Sequence, residues 1–129
     1  MFEELTLVQM ASSMARNATV RQKIVAENIA NADTPGYRAR DVKGFAEYVK
    51  ESFTARATRP EHVGSQAIGR AARAPEVYFD QTVQASANGN NVSLEDEIVR
   101  SVETRGQHAM ALAVYGKTAQ LMRLSLGRR

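Results

Sequence analysis

The 129-residue chain has no cysteine and no tryptophan, only three prolines, and aromatic residues make up 6% of it. Without cysteine there can be no disulfides, no thiolate nucleophile and no cysteine-ligated metal. The scarcity of aromatics disfavours a β-sandwich or barrel; Ala, Val, Leu, Ile and Met supply most of the apolar residues, which suits helix packed on helix. No apolar run approaches the ~20 residues that span a bilayer, so no direct membrane span is expected. The opening Met1-Phe2-Glu3-Glu4-Leu5 lacks a basic stretch followed by an apolar one, so a Sec-type signal peptide is not expected either. Read on these absences alone, the chain is a soluble cytoplasmic protein of one modest domain.

The formal net charge is +3, and its charges are spread along the whole length. A nucleic-acid binder concentrates Lys and Arg on one face beside a reading motif, and neither is present, so no nucleic-acid partner is expected. His62 and His108 have no cysteine, second histidine or paired carboxylate at ligand spacing, which leaves no candidate metal site. No P-loop, nucleophile elbow or dinucleotide fingerprint occurs; no catalytic residue, no cofactor and no enzymatic activity are expected. Glu95, Asp96 and Glu97 cluster where a helix begins, and the helix dipole accounts for them better than catalysis does.

From about Glu3 to Ala30 there is neither proline nor glycine. Leu7, Ala11, Met14, Ala18, Val25 and Ile29 recur at a helical period, predicting one amphipathic helix about 42 Å long. It stops near Asn31 or Ala32. Pro35 pushes Thr34 out of the α region, Gly36 can take positive φ, and Asn31, Asp33 and Thr34 can each bond nearby backbone. Such a run ending in an aromatic suggests a shaped recognition corner, with Asn28 and Asn31 facing the turn and Tyr37 as anchor.

A second long helix is predicted from residue 93 onward. Ser93 is a suitable N-cap with Asp96 three residues on, and Arg123, Arg128 and Arg129 suit the negative end. Its predicted seam runs through Leu94, Ile98, Val102, Arg105, Ala109, Leu112, Gly116, Ala119, Met122 and Leu126. Neither stripe can be buried alone, so the helices should pack as an antiparallel, coiled-coil-like pair, with neighbouring subunits as further partners.

Between the helices the pattern is lost. Residues 42–53 could form a short helix, 54–75 read as a polar loop, and Val77, Tyr78 and Phe79, with Val83 beyond, as a short strand. Ala87-Asn88-Gly89-Asn90-Asn91 is a turn leading into the Ser93 cap. The expected fold is mainly α, with an N-terminal assembly helix (1–32), a largely irregular middle with minor β structure (33–92) and a C-terminal assembly helix (93–129).

Asn28-Ile29-Ala30-Asn31 followed by Thr34-Pro35-Gly36-Tyr37 resembles the N-terminal signature of the bacterial flagellar rod, hook and other axial proteins. Gly89-Asn90-Asn91-Val92-Ser93-Leu94 before the second helix extends the likeness, which covers residues 7–45 and 89–126. Gly106-Gln107-His108 depart from the aromatic-containing pattern of that family's C-terminal helix.

The resemblance implies a structural subunit of the proximal rod of the flagellar basal body, part of the helical drive-shaft tube from the inner-membrane ring to the distal rod and hook, and required for motility. It also implies export without cleavage through the flagellar type III apparatus and a place in the periplasm-spanning rod. Its implied partners are further copies, other rod proteins, the basal adaptor protein and the export gate. The subunit interface would use Leu7, Met14, Val25, Asn28, Ile29, Asn31, Thr34, Pro35, Gly36, Tyr37, Leu94, Ile98, Val102, Leu112 and Met122. Alternatives are another proximal rod protein, or a small cytoplasmic helical adaptor or export chaperone.

Overall fold

The computed structural model describes residues 2–47 and 75–127. Helix α1 spans Phe2–Ala30, strand β1 Arg40–Val42, strand β2 Val77–Phe79 and helix α2 Leu94–Ser125. The two helices, about 44 and 48 Å long at 1.5 Å per residue, pack against each other as an antiparallel pair. The strands pair antiparallel with Arg40 opposite Phe79, Asp41 opposite Tyr78 and Val42 opposite Val77. This small sheet rests on α1 through β1, so Asp41 and Val42 are buried while all of β2 is exposed.

The helix boundaries follow local chemistry. α1 closes into a turn over residues 31–36, with Asn31 N–H donating to the Glu27 carbonyl at 3.1 Å and Thr34 N–H to the Asn31 carbonyl at 3.0 Å. α2 begins after Ser93, whose extended backbone and Oγ, accepting from Asp96 N–H at 3.4 Å, form the expected cap. Glu95, Asp96 and Glu97 fill its first turn.

The contact between the helices repeats every seven residues on both sides. On α1 the buried positions include Ala11, Ala18 and Val25, flanked by Asn17, Ile24 and Asn28; on α2 they are Glu97, Thr104, Ala111 and Thr118. A seven-residue repeat keeps one narrow face of each helix on its neighbour. That face is small and polar. Its hydroxyls are satisfied within their own helices, Thr104 Oγ1 donating to the Arg100 carbonyl at 2.7 Å, Thr118 Oγ1 to that of Val114 at 2.8 Å and Ser13 Oγ to that of Gln9 at 2.8 Å.

The seam expected on α2 therefore lies elsewhere. Ile98, Val102 and Leu112 are 52%, 66% and 53% exposed, and Leu94 is exposed too. The packed face lies one residue earlier along most of the helix, a rotation of about 100° at 3.6 residues per turn. Hydrophobic periodicity finds the most apolar face of a helix, and here α1 accepts a different one. On α1 the expected stripe fits better, with Ala11, Ala18 and Val25 buried, Met14 and Ile29 half-buried, and Leu7 exposed.

In the middle, the expected strand is β2, without Val83. Its partner β1 takes up Val42, where a helix was expected to start; residues 45–47 are helical, and the rest of the 42–53 segment lies outside the described residues. So does the loop expected over 54–75, apart from Pro75.

Candidate assembly corner

Asparagine side chains shape the end of α1 and tie it to the approach to α2, together with main-chain hydrogen bonds from Gly36 N–H to the Asn88 carbonyl and from Asn91 N–H to the Tyr37 carbonyl. Asn28, fully buried, points out from the last turns of α1 and treats Arg40 as a strand would: its Nδ2 donates to the Arg40 carbonyl at 2.7 Å, and its Oδ1 accepts from Arg40 N–H at 3.1 Å. The same Oδ1 accepts from the Tyr37 hydroxyl at 3.1 Å. Asn28 thus turns the chain back along its own helix, with the Glu27 carboxylate and the Arg40 guanidinium paired alongside.

Asn90 closes the corner from the other side. Its Nδ2 lies 2.9, 2.8 and 2.9 Å from the carbonyls of Asn31, Ala32 and Thr34, groups left without helical partners where α1 ends. Its Oδ1 accepts from Val92 N–H at 2.8 Å, and its own N–H donates to Asn88 Oδ1 at 3.0 Å. Asn91 bridges the strands: its Oδ1 accepts from Ala39 N–H at 2.7 Å and its Nδ2 donates to the Asp80 carbonyl at 2.7 Å.

Gly36 and Gly89 let the two segments touch. Both have positive φ, 71° and 80°. A Cβ on Gly89 would meet the Gly36 Cα at 3.4 Å, and Gly36 N–H donates to the Asn88 carbonyl at 2.9 Å. An L side chain at either position carries the strain of the left-handed region.

Beneath the corner lies a charge cluster that joins α1, β1 and α2 with Asp80, the residue that follows β2. Arg21 of α1 makes a two-pronged pair with Asp41 of β1 at 3.0 and 3.1 Å. Arg100 of α2 reaches Asp80 at 2.7 Å, Glu97 at 3.2 Å and Asp41 at 3.7 Å. Two guanidinium groups thus face three carboxyls. Burial pushes the Glu97 carboxyl above its ordinary range, with Asp41 and Asp80 adding to the push and Arg100 opposing it. Its Oε2 is buried with no hydrogen-bond partner among the described residues. Asp80 is pushed up by burial too, but hydrogen bonds from the Thr82 hydroxyl and N–H and from Arg100 outweigh this and hold it below its usual range.

The fifteen expected interface residues divide accordingly. Val25 and Asn28 are buried within the chain; Met14, Ile29, Asn31, Tyr37 and Met122 are half-buried; Leu7, Thr34, Pro35, Gly36, Leu94, Ile98, Val102 and Leu112 are exposed. The corner gathers Asn28, Asn31, Thr34, Gly36 and Tyr37, whereas Leu94, Ile98, Val102 and Leu112 form a separate apolar face along α2. Sequence reasoning places Asn90 and Asn91 in a turn and in the family likeness but misses their bonds to distant main chain, and it misses the roles of Arg21, Asp41, Asp80 and Arg100, which nothing local distinguishes from surface charge. The helix dipole alone does not account for Glu97, which is 2% exposed and pairs with Arg100.

Among the described residues no helix is long and apolar enough to cross a membrane, and no group of three or more His, Asp or Glu is placed to hold a metal ion.

A family model described as flagella basal body rod protein matches residues 9–38, most of α1 and the turn that follows it. Similarity to curated proteins extends much further. The flagellar basal body rod protein FlgB of Agrobacterium fabrum is 27% identical over 98% of this chain and 96% of its own length. The protein of that name from Salmonella typhimurium is 33% identical over 74% of this chain and 75% of its own, and that from Cereibacter sphaeroides 35% identical over 75% of each. With identities above 30% across about three quarters of its length, the chain belongs to the FlgB family of flagellar basal body rod proteins.

Proposed function

We propose that this structural subunit of the flagellar basal body rod sits in the proximal part of the rod and polymerises through the outer face of α2. The observation that carries this is the division of α2 into two faces. The polar face is used within the chain, while Ile98, Val102, Leu112 and Leu124, within about 120° of one another round the helix, stay 52 to 71% exposed. Burying each such side chain contributes about 1.5–3 kcal/mol, so several together can drive association. Contacts between unlike faces that do not close into a ring extend into a helical filament, as a drive-shaft tube between the inner-membrane ring and the distal rod requires. In this reading the exposed Thr34, Pro35 and Gly36 border the contact to the next subunit, and other rod proteins, the basal adaptor and the export gate are the partners beyond. The function is binding without turnover. Family membership favours it over a cytoplasmic adaptor or export chaperone.

Ile98→Asp and Leu112→Asp test the proposal. Both side chains are exposed in the free chain, so expression and helix content should be preserved while basal bodies lack a complete rod and cells are non-motile. Motile cells with complete basal bodies would refute the assignment of this face.

A further inference from the structure

Asn88 and Gly89 form an asparaginyl-glycine bond at the centre of the corner, and Asn88 is exposed. Such a pair carries its own chemistry. The Gly89 amide nitrogen can attack Asn88 Cγ: an N–Cγ bond forms, the Cγ–Nδ2 bond breaks, and the side-chain nitrogen leaves as ammonia with the amide proton. Water then opens the cyclic imide at either carbonyl. One opening gives aspartate; the other gives isoaspartate, with the main chain rerouted through Cβ and Cγ. Glycine favours the attack because it has no side chain to obstruct it.

The closed corner engages each participant in a hydrogen bond. Gly89 N–H donates to the Ser86 carbonyl at 2.8 Å, so the nucleophilic nitrogen is occupied. Asn88 Oδ1 accepts from Asn90 N–H at 3.0 Å, which fixes the side-chain amide. The Asn88 carbonyl accepts from Gly36 N–H at 2.9 Å, and Ser86 N–H donates to the Asn90 carbonyl at 2.7 Å. Asn90 is in turn fastened to the end of α1 through three carbonyls. Gly36 N–H and those three carbonyls thus hold the loop from outside, adding to its own internal hydrogen bonds, while the corner is docked.

We propose that Asn88 is a fold-gated modification site: it converts to aspartate and isoaspartate while the corner is open, and conversion to isoaspartate prevents the corner from closing. The added main-chain atom of isoaspartate displaces the carbonyl that receives Gly36 N–H and moves Gly89 out of its contact with the Gly36 backbone. Chains that linger undocked are thereby withdrawn from the pool able to form the corner. The inference rests on the corner geometry and is independent of which face polymerises.

The test holds the purified full chain in mildly alkaline buffer, with and without denaturing guanidinium chloride, and follows Asn88 by peptide mapping with isoaspartate detection. A reaction confined to the open state scales with the open population, so conversion should be at least about tenfold slower without denaturant. Asn90→Ala, which leaves the Asn88-Gly89 pair intact, should bring the native rate towards the denatured one. In chains carrying isoaspartate the Gly36 amide should exchange its hydrogen faster. Equal rates with and without denaturant, or an unchanged Gly36 exchange rate in the isoaspartyl chain, would overturn the proposal.

Discussion

The Asn90 side-chain nitrogen lies 2.9 Å from the Asn31 carbonyl, 59 residues earlier in the chain. One amide from the approach to α2 thus caps the end of α1, so the two helices are joined by a hydrogen-bonded corner as well as by the seam between them. This matters because the seam is small and polar: Ala11, Ala18 and Ala111 bury little apolar area each, and the corner contributes where the seam is weak.

Asn90→Ala should lower the free energy of unfolding by about 3 kcal/mol, because it removes the donor from three carbonyls around a buried site. Asn90→Asp should lower it further, since a carboxylate offers those carbonyls no proton and adds repulsion. Urea unfolding followed by circular dichroism measures both.

Arg100→Met should cost about 3–5 kcal/mol, the usual result of removing one partner from a buried ionic group, here leaving Asp80 and Glu97 uncompensated. Adding Glu97→Gln to that variant should recover part of the loss, because it removes one of the stranded charges. A double-mutant cycle in denaturant isolates that coupling.

Glu97 and Asp80 should give the stability opposite pH dependences. With its folded pKa raised above the ordinary 4.5, Glu97 contributes fully below that value, and its contribution is lost as pH rises through the folded pKa. Asp80, held below the ordinary 3.8, contributes fully above that value and loses its contribution as pH falls through the folded pKa. Glu97→Gln should therefore flatten the decline on the rising side and be no less stable than the parent at neutral pH; Asp80→Asn should flatten the acid side. Unfolding free energies across the pH range for the three chains check the signs.

Gly36→Ala and Gly89→Ala should each destabilise by about 1 kcal/mol, from positive φ. Gly89→Ala should be the worse of the two, because its Cβ also meets the Gly36 backbone at 3.4 Å while a Cβ on Gly36 meets open space. Thermal unfolding of the two variants side by side provides the comparison.

What could be read along the chain was what local chemistry specifies. The run from Asn31 to Gly36 ends α1 because proline and glycine act on their immediate neighbours, and Ser93 starts α2 because its hydroxyl reaches a backbone N–H three residues on. The stripe on α1 was legible where Ala11, Ala18 and Val25 are both apolar and buried, but not at Ser13, Asn17 and Asn28, which are buried and polar. On α2 the two properties separate: Thr104 and Thr118 are buried with their hydroxyls bonded inside the helix, while Val102 and Leu112 stay exposed.

Local spacing along the chain specifies where the helices begin and end, that residues 31–36 and 87–89 are turns, and which face of α2 is most apolar. These depend on interactions over a few residues. Docking of the helices is what turns this apolar face of α2 away from α1, makes Asn28, Asn90 and Asn91 main-chain partners for other segments, and gathers Arg21, Asp41, Asp80, Glu97 and Arg100 into one cluster. Several of those contacts join groups 20 or more residues apart, and their meeting is set by how the helices dock, which leaves no mark in local spacing.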